Sequence, residues 1–352
     1  MNMGYPIITD GNFNRLGMID NYISFIWTTR YYTAGDFEIY TAVDAKSSSL
    51  LTVGNYVIRE DDPDNVGIIE AIETDVSEDR AYTIIAKGRF LPAILGRRII
   101  ADQTQVLGLV SDGIYTLIED AITAPIIEAR KIDNFIIDRS YTSAESMDAQ
   151  YTGKNLLETI AALCENYKIG QNVTLDENNN FVFKLYEGID RSYAQNVNSW
   201  VIFSDRFDNL LSSMYVEDRA GRVTSVLVAG EGEGVDRKTL WVTDDPTTHT
   251  GLERYELYAD SRQIRSNDGE ITDEEYYAEL EAEGRSELTE YSSAFTGRVD
   301  FRNIKYRRDV FLGDVCTVEN TKMHMYINAR LVEVIESMAA DGKYEIIPTF
   351  GL

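Results

Sequence analysis

Asp36-Phe37-Glu38-Ile39, Gly54-Asn55-Tyr56-Val57, Ile69-Glu70-Ala71-Ile72-Glu73 and Tyr82-Thr83-Ile84-Ile85 follow one another early in the chain, and each is echoed in the same order near its end. The echoes are Asp300-Phe301-Arg302-Asn303-Ile304, Gly313-Asp314-Val315-Cys316, Val332-Glu333-Val334-Ile335-Glu336 and Tyr344-Glu345-Ile346-Ile347. Alternation of Val or Ile with Glu is common in strands, so a single match carries little. Four matches in one order, with gaps differing by only a few residues, mark a repeated unit. The reading is two copies of one small β-barrel, the second assembled across an inserted helix. Two similar barrels per chain let a trimer present six near-equivalent positions, the arrangement by which a three-fold object caps a six-fold tube.

Around the first copy, short β-rich runs at Tyr22 to Tyr32, Asp36 to Ala42, Tyr56 to Arg59, Gly67 to Thr74 and Tyr82 to Ala86 are separated by turn chemistry such as Asp61-Asp62-Pro63-Asp64-Asn65. Helical periodicity begins after Pro92: Ile114, Leu117, Ile118, Ala121 and Ile122 recur behind the cap candidates Ser111 and Asp112. A second helix is expected over Lys154 to Tyr167, stopped by Gly170, followed by a hairpin of Gln171 to Leu175 and Phe181 to Tyr186. Strands return at Trp200 to Phe203, Leu210 to Val216, Val223 to Ala229 and Thr239 to Thr243. Thr272 with Glu275 forms a capping box for a helix whose packed stripe is Tyr277, Leu280, Gly284, Leu288 and Tyr291. The last strands are Arg298 to Tyr306, Val315 to Glu319, Ala329 to Glu336 and Lys343 to Pro348. The fold class expected is mainly β with α+β insertions. Residues 1–89 form a first barrel, 90–192 an α+β middle domain, 193–268 strands of the second barrel region, 269–293 a helical insertion and 294–352 the completion of the second barrel.

The chain has 352 residues, with 33 Lys and Arg against 59 Asp and Glu and a net charge of −26. Such a chain cannot coat nucleic acid or adhere to an anionic leaflet by counterion release. Hydrophobic residues at 44% supply a real core, so the acidity is not that of a disordered chain. The length favours two to four compact units. Met1 to Asp20 has no signal-peptide pattern and no long apolar run occurs, so neither secretion nor a membrane span is expected. Cys164 and Cys316 read as buried reduced thiols, in keeping with synthesis in a reducing cytosol.

No catalytic, cofactor or metal site emerges. Gly230-Glu231-Gly232-Glu233-Gly234 before Lys238-Thr239 approaches a phosphate loop, but Arg237 stands where the last glycine is needed, the acids repel phosphate, and no helix follows. His249 and His324 lack partners at metal spacing. Cys164 lies on an apolar helix face without a nearby histidine, and there is no Gly-x-Ser-x-Gly elbow. Asp61 to Asn65 lacks the later bidentate Glu of a calcium loop, and Asn172-Val173-Thr174 reads as an unmodified strand. The 22 tyrosines are assigned to barrels and subunit contacts rather than to a sugar-binding surface.

Asn12-Phe13-Asn14-Arg15-Leu16-Gly17, Trp27-Thr28-Thr29-Arg30-Tyr31-Tyr32 and Gly35-Asp36-Phe37-Glu38-Ile39 resemble the opening of the siphovirus ReqiPepy-type tail protein family. The resemblance continues through Val201-Ile202-Phe203-Ser204, Phe207-Asp208-Asn209-Leu210, Val228 to Gly234 with Asp236-Arg237, Gly251 to Glu256, Asp260-Ser261-Arg262 and Phe311 to Val315. It implies a tail-tip or baseplate hub of a phage or prophage, similar to contractile-tail hubs and to the N-terminal part of tail-associated lysins. Such a hub is a homotrimer whose paired barrels form a pseudo-six-fold ring. The tail tube or distal tail protein meets one face, and a fibre, spike or lytic protein meets the other. The chain ends at Gly351-Leu352 just after the second barrel, so a hub without its own enzyme is expected. Lumen-facing carboxylates would let DNA slide through. The alternatives kept are a receptor- or carbohydrate-binding tail component and a wall-degrading tail enzyme with an acid pair in the middle domain.

Overall fold

The structure, a computed structural model, describes residues 3–76, 82–266, 272–288, 292–300 and 303–351. Its first third gives β1 (Ile7–Thr9), β2 (Arg15–Met18), β3 (Tyr22–Arg30), β4 (Asp36–Ala42), α1 (Ala45–Leu50), β5 (Tyr56–Arg59), β6 (Asp62–Val76) and β7 (Tyr82–Phe90). The middle adds β8 (Thr104–Leu109), α2 (Val110–Ile118), β9 (Phe135–Asp138), β10 (Ser146–Tyr151), α3 (Leu156–Asn166), β11 (Gly170–Leu175) and β12 (Phe181–Tyr186). Next come β13 (Ile202–Ser204), β14 (Leu210–Asp218), β15 (Ser225–Ala229), β16 (Thr239–Thr243), β17 (Glu256–Asp260) and α4 (Asp273–Glu287). The chain finishes with β18 (Ser292–Val299), β19 (Val315–Asn320), β20 (Met325–Ala339) and β21 (Tyr344–Gly351).

The repeat is written into the topology. One 13-stranded sheet contains the order β3-β4-β7-β6-β5-β1 and, element for element, β14-β18-β21-β20-β19-β13. Bulges fall at matching places: between Tyr22 and Ser24 in β3 and between Leu210 and Ser212 in β14, then between Ile69 and Ala71 in β6 and between Leu331 and Glu333 in β20. Gly54 and Gly313 precede β5 and β19 with φ of +93° and +94°. Each donates its N–H to the equivalent carbonyl, Ile69 at 2.9 Å and Leu331 at 2.7 Å. The halves differ at the margin, where β1 meets β5 antiparallel and β13 meets β19 parallel.

The structure corrects two of the four sequence matches. The true counterpart of Asp36-Phe37 is Ala294-Phe295, because β18 occupies the place of β4 and Phe37 and Phe295 fill the same core position. The expected strand over Arg298 to Tyr306 begins earlier, at Ser292, and Phe301 and Arg302 lie outside the described residues. In the third match the bulges align Glu70 with Val332, so the sequence reading was one residue out of step, which exchanges the two faces. Among the described residues neither half closes into a barrel: β20 pairs with β3 and fuses the halves into one open sheet.

Four hydrophobic clusters occupy the molecule. Phe25, Trp27, Phe37, Ile39, Ile69 and Phe90 fill the first half, and Phe203, Phe295, Val318, Leu331, Val334 and Phe350 the second. The middle region packs α2 and α3 against β11 and β12 around Ile114, Ile160, Leu163, Cys164 and Phe183, and this cluster takes in Val66 and Ile68 of β6. The fourth cluster holds α4 on the three-stranded sheet β16-β15-β17 through Val226, Val228, Val242, Tyr276 and Leu280.

Local chemistry accounts for most boundaries. Thr272 and Glu275 form the capping box of α4, but the packed row is Tyr276, Leu280 and Gly284 rather than Tyr277, which is exposed. Tyr291 lies outside the described residues. Leu109 precedes α2, so Ser111 sits in its first turn and exchanges N–H···O bonds with Ser143, each 3.1 Å. Lys168, with φ +58°, ends α3, while Gly170 opens β11 because a Cβ there would come 2.3 Å from the Tyr31 ring. The expected turn at Asp61 to Asn65 is extended from Asp62 onward, and the reversal falls at Glu60-Asp61.

The paired glycines yield a prediction. Gly54→Ala meets open space and pays only for its positive φ, about 1–2 kcal/mol. Gly313→Ala adds a Cβ 2.2 Å from buried Tyr31 and costs a further 1–3 kcal/mol or so from overpacking. Denaturant unfolding of the two variants checks the difference.

Candidate functional site: the joint between the halves and its unpaired counterpart

At the joint, β20 runs antiparallel to β3 with Glu333 opposite Arg30, Glu336 opposite Trp27 and Met338 opposite Phe25. Alternation fixes what faces inward: Val334, Glu336 and Met338 share the core side, as do Val57 and Arg59 of β5. A glutamate and an arginine at core positions must find each other. Arg59, fully buried, donates to both Glu336 oxygens at 3.1 and 3.3 Å and to Asp61 at 3.0 Å. Arg307 donates to Glu336 and, at 2.7 Å, to Asp62, which also accepts from Trp27 Nε1 at 2.8 Å. Tyr344 closes the set by donating to Glu336 at 2.6 Å.

The carboxyls of this cluster respond in opposite directions. Burial pushes Glu336 up, but Arg307 and then Arg59 offset it and leave its pKa below the ordinary value. Asp62 is raised, because burial outweighs Arg307 and its weaker partners. Glu336 is thus the carboxylate on which Arg59 and Arg307 converge. The sequence signal that could have revealed it is a charge in the inward phase of a strand, at Arg59 and Glu336. Asp62 and Glu336 enter the sequence reading only as a turn residue and as part of the repeat, and Arg307 does not enter it at all.

The equivalent of this joint elsewhere in the sheet is empty among the described residues. The counterpart of β3 is β14, which pairs only with β18. The counterpart of the β20 segment Glu333–Ala339 is the latter part of β6, which pairs with β7 and, among the described residues, with no strand on its other side. The β14 edge displays Leu211, Met214 and Val216, all exposed, followed by Glu217 and Asp218. An apolar strand edge of this length is a template for another strand.

One face of the long sheet is open and carries charges in ladders. Lys87 bridges Glu38 and Glu73 at 3.8 and 2.9 Å, Arg89 holds Glu70 at 2.7 and 2.9 Å, and Arg30 links Asp36 to Glu333. Asp75 extends the acidic end of β6.

The residues weighed in the sequence do not converge. Cys164 and Cys316 are buried in separate clusters, where burial pushes both thiols up. His249 lies 3.2 Å from an Arg222 nitrogen, and His324 sits in the turn before β20. Glu231, in the glycine-rich turn, is held at a pKa of about 2 by the hydroxyl and N–H of Ser266 and by Lys238. Asn172 donates to the Asp64 carbonyl at 3.1 Å. Among the described residues no cluster of His, Cys, Asp and Glu could hold a metal, and no helix is long and apolar enough to cross a membrane.

The model of the Siphovirus ReqiPepy6 Gp37-like protein family matches residues 6–352. A search of curated proteins returned no match. Among solved structures, the fold is similar to a tail protein from Neisseria meningitidis MC58, with a TM-score of 0.54 at 15% identity over 99% of this chain and 97% of that one. It is also similar to the 43 kDa tail protein of prophage MuSo2 from Shewanella oneidensis, with a TM-score of 0.55 at 13% identity over 98% of both chains. The prophage tail protein gp18 from Listeria monocytogenes EGD-e gives a TM-score of 0.51 at 14% identity over 99% of this chain and 94% of that one.

Proposed function

Because the chain belongs to the Siphovirus ReqiPepy6 Gp37-like family of phage tail proteins, we propose that it is the tail-tip or baseplate hub, a homotrimer whose six half-units form one ring. The observation that carries this reading is the repeat. The first half offers the edge that the second half uses at the joint, and the second half offers the edge that the first half uses there. Applying the joint between neighbouring chains pairs β6 of one with β14 of the next. Aligned by their bulges, the strands set Ala71 opposite Asp218, Glu73 opposite Val216, Thr74 opposite Tyr215 and Asp75 opposite Met214. Face parity supports the register, because Glu73, Asp75, Met214 and Val216 all point to the open side. The barrel expected for each half then belongs to the assembly, decorated by the middle region of residues 90–192 and by the unit between β14 and β18. The expected division of 193–268 from 269–293 is corrected, because β15, β16 and β17 form their own sheet and pack on α4 instead of joining the long sheet.

The two rims of such a ring differ. β3, β14, β7 and β21 all run toward one rim. There the middle region follows β7, and the α4 unit is inserted between β14 and β18. We assign this rim to a fibre, spike or lytic protein, and the opposite rim to the tail tube or distal tail protein. The open face, with its excess of carboxylates, is assigned to a lumen through which DNA passes without adhering. A structural role fits this geometry better than catalysis.

Light scattering of the purified chain is expected to give three times 39.9 kDa. Glu73→Cys with Val216→Cys, oxidised mildly, is expected to build covalent dimers and trimers, since the opposed Cβ atoms lie within disulfide reach. Thr74→Cys with Val216→Cys, one residue out of step, is expected to remain monomeric on a denaturing gel. Equal cross-linking by both pairs would overturn the register.

A further inference from the structure

The three-stranded sheet carried on α4 has a second face that the hub reading leaves unused. Its core face is taken by Val226, Val228, Leu240, Val242, Leu257 and Ala259. On the other face Trp241, Leu227 and Tyr258 stand in one row across β16, β15 and β17. Trp241 is 47% exposed and Tyr258 55%. With Leu227 between them, the two aromatic residues are carried on strands two spacings apart, roughly 9.6 Å.

Both rings are held in place. The Arg254 guanidinium lies 4.9 Å from the Trp241 ring and donates to Glu256 at 2.6 Å. Arg237 lies 5.8 Å from the Tyr258 ring and donates to its hydroxyl at 2.7 Å and to the Gly230 and Ala229 carbonyls at 3.0 and 2.7 Å. It also donates to Asp260. The glycine-rich turn thus serves to aim an arginine that fixes a ring. Rows on either side of the aromatics supply planar and hydroxyl groups: Thr243 and Glu256 on one side, Thr239 and Asp260 on the other.

We infer that this face binds an extended β-linked glycan chain. The flat apolar faces of alternate sugar rings would stack on Trp241 and Tyr258, whose separation is close to the advance of one disaccharide. The equatorial hydroxyls would meet Glu256, Asp260 and the two arginines. Each aromatic is flanked by charged groups at hydrogen-bond spacing, the pairing of a flat apolar surface with polar groups that a sugar ring and its hydroxyls require. If the hub is trimeric, as proposed above, three such faces bind with avidity.

The full-length protein is titrated with the β-1,4-linked hexamer of N-acetylglucosamine, followed by calorimetry and tryptophan fluorescence, with an α-1,6-linked glucose hexamer as contrast. Saturable binding of the β-linked hexamer alone is expected. Trp241→Ala and Tyr258→Ala should each weaken it at least tenfold, Trp241→Phe should stay within about threefold, and Trp200→Ala, at a more exposed tryptophan elsewhere, should leave it unchanged. Absence of binding, or binding that survives both alanine variants with unchanged circular dichroism, overturns the inference. Solution mass separates the two readings: a trimer that ignores the hexamer loses only this site, and a monomer that binds it loses only the ring.

Discussion

Met214→Asp with Val216→Glu is expected to reduce the assembled particle to a folded single chain near 39.9 kDa by light scattering. Both side chains are exposed, at 58% and 44%, so the fold of each chain should persist with an unchanged unfolding transition. In the proposed seam they face Asp75 and Glu73, and like charges directly opposite one another cost up to about 1 kcal/mol per pair. Two pairs at each of three seams amount to roughly 6 kcal/mol, about 10⁴-fold in the assembly constant. Met214→Lys with Val216→Lys places opposite charges in the same positions and should keep the trimer. A trimer that survives the acidic pair and falls apart with the lysines would remove β6 as the partner of β14.

The second large effect lies inside the chain. Glu336→Gln leaves Arg59 and Arg307 buried with too little countercharge, and breaking a buried pair in this way costs about 3–5 kcal/mol. Adding Arg59→Met should recover part of that loss, since it withdraws a charge that would otherwise stay unpaired. Chemical unfolding followed through Trp27, whose indole donates to the same cluster, reads the change. The pH dependence has a definite sign. The pKa of Glu336 is lowered on folding, so its stabilising effect is complete above about 4.5 and fades as the pH falls through the lower folded value. Asp62 is raised and acts oppositely, losing stability as it ionises. The deficit of Glu336→Gln against the native chain should therefore shrink below pH 4.5. A deficit that stays constant down to strong acid would show that Glu336 is not ionised in the fold.

Much of the strand plan could be read directly. Asp36–Ala42, Tyr56–Arg59, Phe181–Tyr186 and Thr239–Thr243 appear at the expected bounds, because strict alternation and strong turn residues frame them. The repeat could be read as an order but not as a register. A bulge adds one residue without leaving a mark in composition, which is why the Ile69 and Val332 runs were matched one step off. The identity of Asp300-Phe301 with Asp36-Phe37 likewise drew the match away from Phe295, whose equivalence rests on pairing with β21. The joint was hidden for a related reason. Arg59 and Glu336 resemble any charged strand residues until the partner strand shows which side is inside. Unpaired edges are invisible in principle to a linear reading, since being unpaired is a property of neighbours.

The two hairpin tips at the rim toward which β3 and β14 run are of very unequal size. Between β3 and β4 the chain turns within five residues, whereas between β14 and β18 it carries the whole α4 unit. Around a closed ring, short and long tips would alternate like the teeth of a coarse crown wheel. A partner seated on that rim could settle only every 120 degrees, while one on the opposite rim would sense steps half as large. The insertion would act as an indexing device: it would fix how many copies of a fibre can be mounted and at which angles, without altering the surface offered to the tube.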